Sequence, residues 1–232
     1  MAGLLTLEVS AATIYEDNFN FTGNLNNRAI GGTAWTTSDT WAGNGSSVTA
    51  ASSVKTASLP FAPQEGYLYE LSVQMANGGA GGTNWTAISF GPANPAVTGN
   101  FTTASPHGGF GSMILRENGN YQGFSTRASS VVSGTAVPGF AADTFYDFKI
   151  TLNTAGTFWV TNYFFDGNNV GTYTWDPDDP PIGSVMLSTS TASSSARFDN
   201  FQLTSVQVPE ASSMALSGIA GILIFSRRRR KA

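Results

Sequence analysis

The stretch Phe145-Tyr146-Asp147-Phe148-Lys149-Ile150-Thr151-Leu152 decides the fold class. Tyr146, Phe148, Ile150 and Leu152 fall on one side of an extended chain, while Asp147 and Lys149 fall on the other. Successive side chains in a strand point to opposite faces, so this period of two describes an antiparallel strand with one face in a core and one in water. Working outward, similar alternating, β-branched or aromatic runs recur between clusters of Gly, Asn and Pro. They predict strands over residues 14–21, 54–59, 67–75, 85–90, 111–117, 121–125, 145–152, 157–165, 170–175, 185–189 and 196–206. Glu117-Asn118-Gly119-Asn120 and Asp166-Gly167-Asn168-Asn169 supply residues that tolerate the positive φ of tight hairpins. No segment of the body keeps a helical period, and the whole reads as an all-β antiparallel sandwich.

Composition limits what such a sandwich can do. Charged residues make up 11% of the 232 residues and aromatic residues 12%, too aromatic for a disordered chain. Between Thr13 and Gln207 stand 13 Asp and Glu against six Lys and Arg, a net of −7, so the body repels nucleic acid and is expected to have no nucleic-acid partner. With no cysteine, disulfides, thiolate metal sites and a Cys nucleophile are excluded. Residues 1–12, MAGLLTLEVSAA, read as the back half of a signal peptide ending in small residues; the alternative is an unstructured lead into the first strand.

The other decisive stretch is VPEASSMALSGIAGILIFSRRRRKA, residues 208–232. It orders Val208-Pro209-Glu210, an apolar run over 214–225, and the cluster Arg227, Arg228, Arg229, Arg230 and Lys231. As a hydrophobic helix that run would be only ~18 Å long, marginal for a bilayer even with the flanking residues 211–226. Arginines do not cross hydrocarbon cheaply, so the cluster stops transfer and leaves the body outside. This order resembles the PEP-CTERM sorting signal of Gram-negative bacteria that make extracellular polysaccharide. The resemblance implies export, a transient anchor in the inner membrane, and an exosortase as partner that cuts at the motif. One departure is Ala211 where the motif has its second proline. A plain C-terminal anchor with a stop-transfer tail is the competing reading.

Within the body, Asp17-Asn18-Phe19 near the start rhymes with Phe198-Asp199-Asn200-Phe201 near the end. The pairing resembles the laminin-G-like or concanavalin-A-like jelly roll, in which the terminal strands lie side by side, and so does the late hairpin turning at Asp166-Gly167. The expected division is a leader over 1–12, a jelly-roll domain over 13–207 and the sorting segment over 208–232.

Glycan binding needs aromatic faces that stack on sugars. Trp35, Trp41, Trp85 and Phe110 are candidates because each lies in or beside a Gly-rich or Ser/Thr-rich loop, and each could instead plug the end of the core. Calcium needs several hard oxygen ligands. Asp176, Asp178 and Asp179 share a Pro-framed loop, and Asp17 and Asp199 could meet where the terminal strands pair. The resemblance to jelly rolls makes a structural Ca2+ the one cofactor to consider. Glycoside hydrolysis uses two carboxylates flanking the sugar. Glu16, Glu65, Glu70 and Glu117 are isolated in sequence, and the only histidine, His107, lies in Ser105-Pro106-His107-Gly108-Gly109 without a nucleophile elbow. The expectation is therefore a non-catalytic exported protein of the cell surface or matrix, structural or associated with extracellular polysaccharide. The alternatives are a carbohydrate-active hydrolase or lyase on the same fold, and a purely self-assembling surface protein.

Overall fold

A computed structural model describes residues 10–38, 40–50, 55–78, 84–93, 110–125, 130–176, 180–190 and 196–209. They form β1 (Ala12–Asp17), β2 (Thr22–Asn24), β3 (Ala29–Ile30), β4 (Thr33–Ala34), β5 (Thr36–Thr37), β6 (Trp41–Asn44), β7 (Val48–Ala50), β8 (Lys55–Pro60) and β9 (Tyr67–Ala76). The chain continues through β10 (Trp85–Gly91), β11 (Phe110–Arg116), β12 (Asn120–Phe124), β13 (Ser130–Ala136), β14 (Tyr146–Asn153), β15 (Val160–Phe165), β16 (Asn168–Thr174), β17 (Ser184–Thr189) and β18 (Arg197–Gln207). Among the described residues there is no helix. The hydrophobic helix expected near the C-terminus lies outside them.

Two antiparallel sheets face each other. The nine-strand sheet runs β16-β15-β14-β9-β18-β7-β6-β2, with β1 also paired to β18, and the seven-strand sheet runs β13-β12-β11-β10-β17-β8-β5. The sequence periodicity explains which residues lie between them. On β9, Tyr69, Leu71, Val73 and Met75 point inward while Glu70, Ser72 and Gln74 stay at the surface. On β14, Phe148, Ile150 and Leu152 are buried and Asp147 is exposed, as the opening stretch predicts. The seven-strand sheet contributes Ile88, Phe90, Met113, Leu115, Val185 and Leu187 to the same core. The late hairpin turns through Asp166 (φ 45°) and Gly167 (φ 77°), a pair of positive φ values that an Asp-Gly turn accommodates.

The long strand β18 pairs with β9 along one edge. Its other edge is divided: residues 201–205 pair with β1, and Phe198 pairs with Val48 of β7. The division falls at a bulge between Asp199 and Gln202, where Asn200 takes a φ of 50°. The first and last strands of the body are thus neighbours, the jelly-roll arrangement expected from the Asp-Asn-Phe rhyme.

All eleven expected strands are present, with two corrections. The strand expected over 14–21 ends at Asp17, because Phe19 adopts a φ of 49° and turns the chain under the core. The segment 31–53, expected as a loop, contains four short strands, and β13 is a strand that the sequence pattern does not announce. Five of its seven residues, Ser130 and 133–136, are exposed, so it lacks the alternation that announces a strand. Phe201 is fully buried with its ring 5.0 Å from that of Trp35. Phe201→Ala should lower stability by about 3–5 kcal/mol, read as a fall in the urea midpoint at unchanged m-value.

Candidate functional site

The two sheets diverge at the end where β9 begins and β14 and β18 finish, and a cleft of about 800 Å³ opens there. Its aromatic wall is Tyr15, Phe61, Tyr67 and Tyr69. Tyr67 stacks on Tyr69 at 5.8 Å, and Phe61 meets Tyr69 edge-on at 5.0 Å and Phe90 at 5.8 Å. The tyrosine hydroxyls are tied to backbone: Tyr15 donates to the Pro60 carbonyl (2.6 Å), and Tyr69 accepts from the Gln64 N–H (2.8 Å). Thr154 closes the loop from the other side, its hydroxyl donating to the Gln64 carbonyl (2.6 Å) and accepting from the Tyr67 N–H (3.0 Å). The rings are therefore fixed before any ligand arrives, which lowers the ordering cost of binding.

Apart from tyrosines, no described residue lining this cleft is ionisable. Burial pushes the Tyr15 and Tyr69 phenols above their ordinary range, so they stay neutral at physiological pH. The described lining offers aromatic faces, a Gln64 amide and backbone polar groups, and no carboxylate or imidazole. Its aromatics were missed in the sequence because Tyr67 and Tyr69 alternate on a strand; only the frame Pro60-Phe61-Ala62-Pro63 marks that the core opens beside them.

The expected glycan-contact residues are placed elsewhere. Trp35 and Trp41 are fully buried: Trp35 packs between Phe19 and Phe201, and Trp41 packs on Phe198. Both stand as core plugs with no face open to a sugar. Trp85 lies on the side of β10 turned away from the main core, in a small cluster with Ala87, Ile114 and Phe124, and is also buried. Phe110 is half-buried with its ring edge-on to Trp175 at 6.2 Å. The four are not brought together.

Asp17 and Asp199 do approach one another at the β18 bulge. Asp199 is raised above the usual carboxylate range, chiefly by burial, with the Asp17 charge adding to it. Asp17 is buried and its oxygens are taken: Arg28 donates through Nε (3.1 Å) and Nη2 (3.2 Å), the Trp35 indole N–H donates at 3.1 Å, and the Phe19 N–H donates at 2.9 Å. Glu16, Asn18, Ser72, Asn200 and Gln202 line a recess of about 160 Å³ beside it. Among the described residues no three acidic or histidine side chains gather as a metal cluster. Asp176 is exposed; Asp178 and Asp179 lie outside the described residues, as do Glu210 and Arg227 to Lys231.

The seven-strand sheet has its own lesson. None of its strands carries an Asp or Glu; its charged members are Lys55 and Arg116. Strand carboxylates are confined to the other sheet, where Glu70 pairs with Lys149 (3.4 Å) on the outer face. Glu117, just past β11, accepts from the Asn84 amide (3.0 Å).

At the same end as the cleft, β18 runs out and the Val208 N–H donates to the Gly66 carbonyl (2.8 Å), with Pro209 exposed beside it. Residues 207–231 match the PEP-CTERM protein-sorting motif. The chain thus carries the sorting signal of exported, exosortase-sorted proteins, and this PEP-CTERM motif begins where the last strand ends. No curated protein sequence matches the chain. Among solved structures it is similar to an endo-1,3-β-glucanase from Streptomyces sioyaensis, at 12% identity and a TM-score of 0.57, covering 90% of this chain and 100% of that one. It is also similar to the carbohydrate recognition domain of Emp46p in its potassium-bound form (10% identity, TM-score 0.53, 84% of this chain and 99% of that one). A sialidase from Trypanosoma rangeli gives 10% identity and a TM-score of 0.57 over 87% of this chain and 32% of its own. At these identities the likeness concerns the fold, an antiparallel jelly roll, attached here to a PEP-CTERM motif.

Two outcomes follow from the buried polar groups. Asp17→Asn should lower stability by about 2–4 kcal/mol, because it uncouples Arg28 and leaves a buried indole and amide poorly matched. The loss should be the same in calcium and in chelator when measured by urea denaturation. Tyr15, Tyr69 and the buried Tyr163 all have phenols raised by burial from 10.0. Stability from keeping them neutral is present below pH 10 and is lost as pH rises through the raised values. Thermal melts should show a steep fall above about pH 10, coincident with tyrosinate absorbance.

Proposed function

We propose that this protein is a non-catalytic, glycan-associated component of the cell surface or extracellular matrix of a Gram-negative bacterium, delivered there by an exosortase. The observation that carries the reading is the chemistry of the end cleft: rigid aromatic walls, an amide and backbone groups, with no carboxylate or imidazole among its described lining residues. Retaining and inverting glycosidases need two carboxyl groups roughly 5–10 Å apart across the sugar. The absence of Asp and Glu from every described strand of the seven-strand sheet supports the same conclusion, as does the engagement of Glu70 by Lys149. The acidic body favours a neutral polymer over a polyanionic one. The fold's likeness to a glucanase and to a carbohydrate recognition domain makes a neutral glycan the first class to try. Any Ca2+ near Asp199 would act structurally at the recess beside β1, without drawing on the Asp17 oxygens that Arg28 and Trp35 hold, and outside the cleft.

The test is affinity electrophoresis and pull-down against β-1,3-glucan, cellulose, chitin and native exopolysaccharide, with analysis of each polymer for shortened products. Retention without shortening is expected. Tyr67 is half-exposed and carries one stacking face, so Tyr67→Ala should weaken retention roughly tenfold, about 1–1.5 kcal/mol, with little change in melting temperature. Retention indifferent to Tyr67 would remove the cleft from the proposal, and shortened products would overturn the non-catalytic reading.

A further inference from the structure

The end of the sandwich that bears the cleft is unlike the rest of the surface. Phe158, 40% exposed, is the only exposed large hydrophobic side chain among the described residues, and it lies just before β15 at this end. Trp159, Tyr67 and Tyr173, at the same end, are half-buried. A groove of about 830 Å³ runs between Trp159, Thr154 to Thr157, Glu65 and Gly66, and its remaining wall is Val208 and Pro209. The described charges here are Glu65 and Asp176, and no described Lys or Arg is placed at this end. The opposite end holds Lys55, Arg116, Glu117, Asp143, Asp166 and Arg197.

Chain length adds a distance. The Val208 N–H fixes the exit point on Gly66, and only residues 209–213 separate it from the apolar run that starts at Met214. Five extended residues reach at most ~18 Å. The ten-residue β9, starting at this end, is ~33 Å long, so the far end of the sandwich cannot approach a bilayer as closely while this end stays tethered. Aromatic side chains with a polar edge favour the headgroup region, where an exposed Phe and a neighbouring Trp and Tyr also lose apolar surface to lipid.

We infer that the end formed by Phe158, Trp159, Tyr67 and the Gly66–Val208 contact is the membrane-facing surface of the uncut precursor. Removal of the sorting segment then uncovers it. This rests on the anchor reading of residues 214–225, and one consequence rests on the glycan reading of the cleft: polymer is admitted only after release. The surface would lie on anionic or zwitterionic headgroups through aromatic contact.

The absence of cysteine makes the test direct. Full-length chain carrying Thr157→Cys or Ala142→Cys, each exposed and at opposite ends, is labelled with a small fluorophore. It is reconstituted in phosphatidylethanolamine/phosphatidylglycerol vesicles containing a headgroup-attached quencher. Quenching at position 157 should exceed that at 142 at least threefold, and combining Phe158→Ser with Trp159→Ser should reduce the ratio. Equal quenching at both positions, or more at 142, overturns the orientation; a ratio unmoved by the double change overturns the aromatic contact. Adding soluble β-1,3-glucan to the same vesicles, and to the chain in detergent, separates the two readings. Binding in detergent at least tenfold tighter than on vesicles supports occlusion, and equal binding overturns it. If glucan binds in neither state, the quenching result still stands or falls alone, and only the glycan reading of the cleft fails.

Discussion

Strand β18 must satisfy backbone donors and acceptors along both edges while burying alternate side chains, and the arrangement of the body follows from that requirement. Every unpaired buried amide or carbonyl costs about as much as a lost hydrogen bond. One edge is met by β9 along nearly its full length, but no single strand meets the other. β1 covers residues 201–205 and β7 meets Phe198, and the handover coincides with the Asp199–Gln202 bulge. The chain leaving β1 must turn there at once, which puts Phe19 under the core and carries the Asp17 carboxylate inside with it. A lone buried carboxylate would be prohibitive; Arg28, Trp35 and the Phe19 amide make it tolerable and at the same time seat Trp35 against Phe201. In a chain without disulfides, this knot holds the amino-terminal segment to the carboxy-terminal strand.

That knot clarifies what was legible in the sequence. Strands with one wet and one dry face, such as β9 and β14, announce themselves by period two, and the Asp166-Gly167 and Asn118-Gly119 turns announce their hairpins. The Asp-Asn-Phe rhyme correctly places the terminal strands together, because the same bulge chemistry is needed on both sides of the junction. Edge segments such as β13 and the two- to four-residue strands over 29–50 carry no such mark; tertiary pairing, rather than local pattern, makes them extended. The sorting motif was readable because its signal is linear: motif, apolar run and arginines in fixed order.

The candidate site was the least legible part. Indole rings in Gly-rich loops suggested a sugar rim, yet Trp35 and Trp41 are the largest wholly buried side chains among the described residues, closing the core where its strands are shortest. The cleft aromatics instead come from strand ends, where the inward face of β9 continues past the point at which the facing sheet stops covering it. A residue pattern records which face a side chain takes, but not where along the strand the opposite layer ends. The same limit applies to Asp17: its spacing suggested an ion, and the pattern did not show that a guanidinium 11 residues later in the chain lies against its carboxylate.

The central place of β18 also sets an order of events in export. The strand that completes the nine-strand sheet is the last of the body to be synthesised, and its partners β1 and β9 lie far upstream. Until Gln207 has crossed the membrane, β9 and β1 have open edges and the core lacks Phe198, Phe201 and Leu203. Such non-local pairing is slow to form. Translocation would therefore deliver an unfinished sheet until its final moments, and on the proposed reading of the tail the arginine cluster would arrest the chain only a short distance after the missing strand emerges. Arrest and closure of the sandwich would then be consecutive steps, and a body held at the membrane would have time to fold before being cut loose.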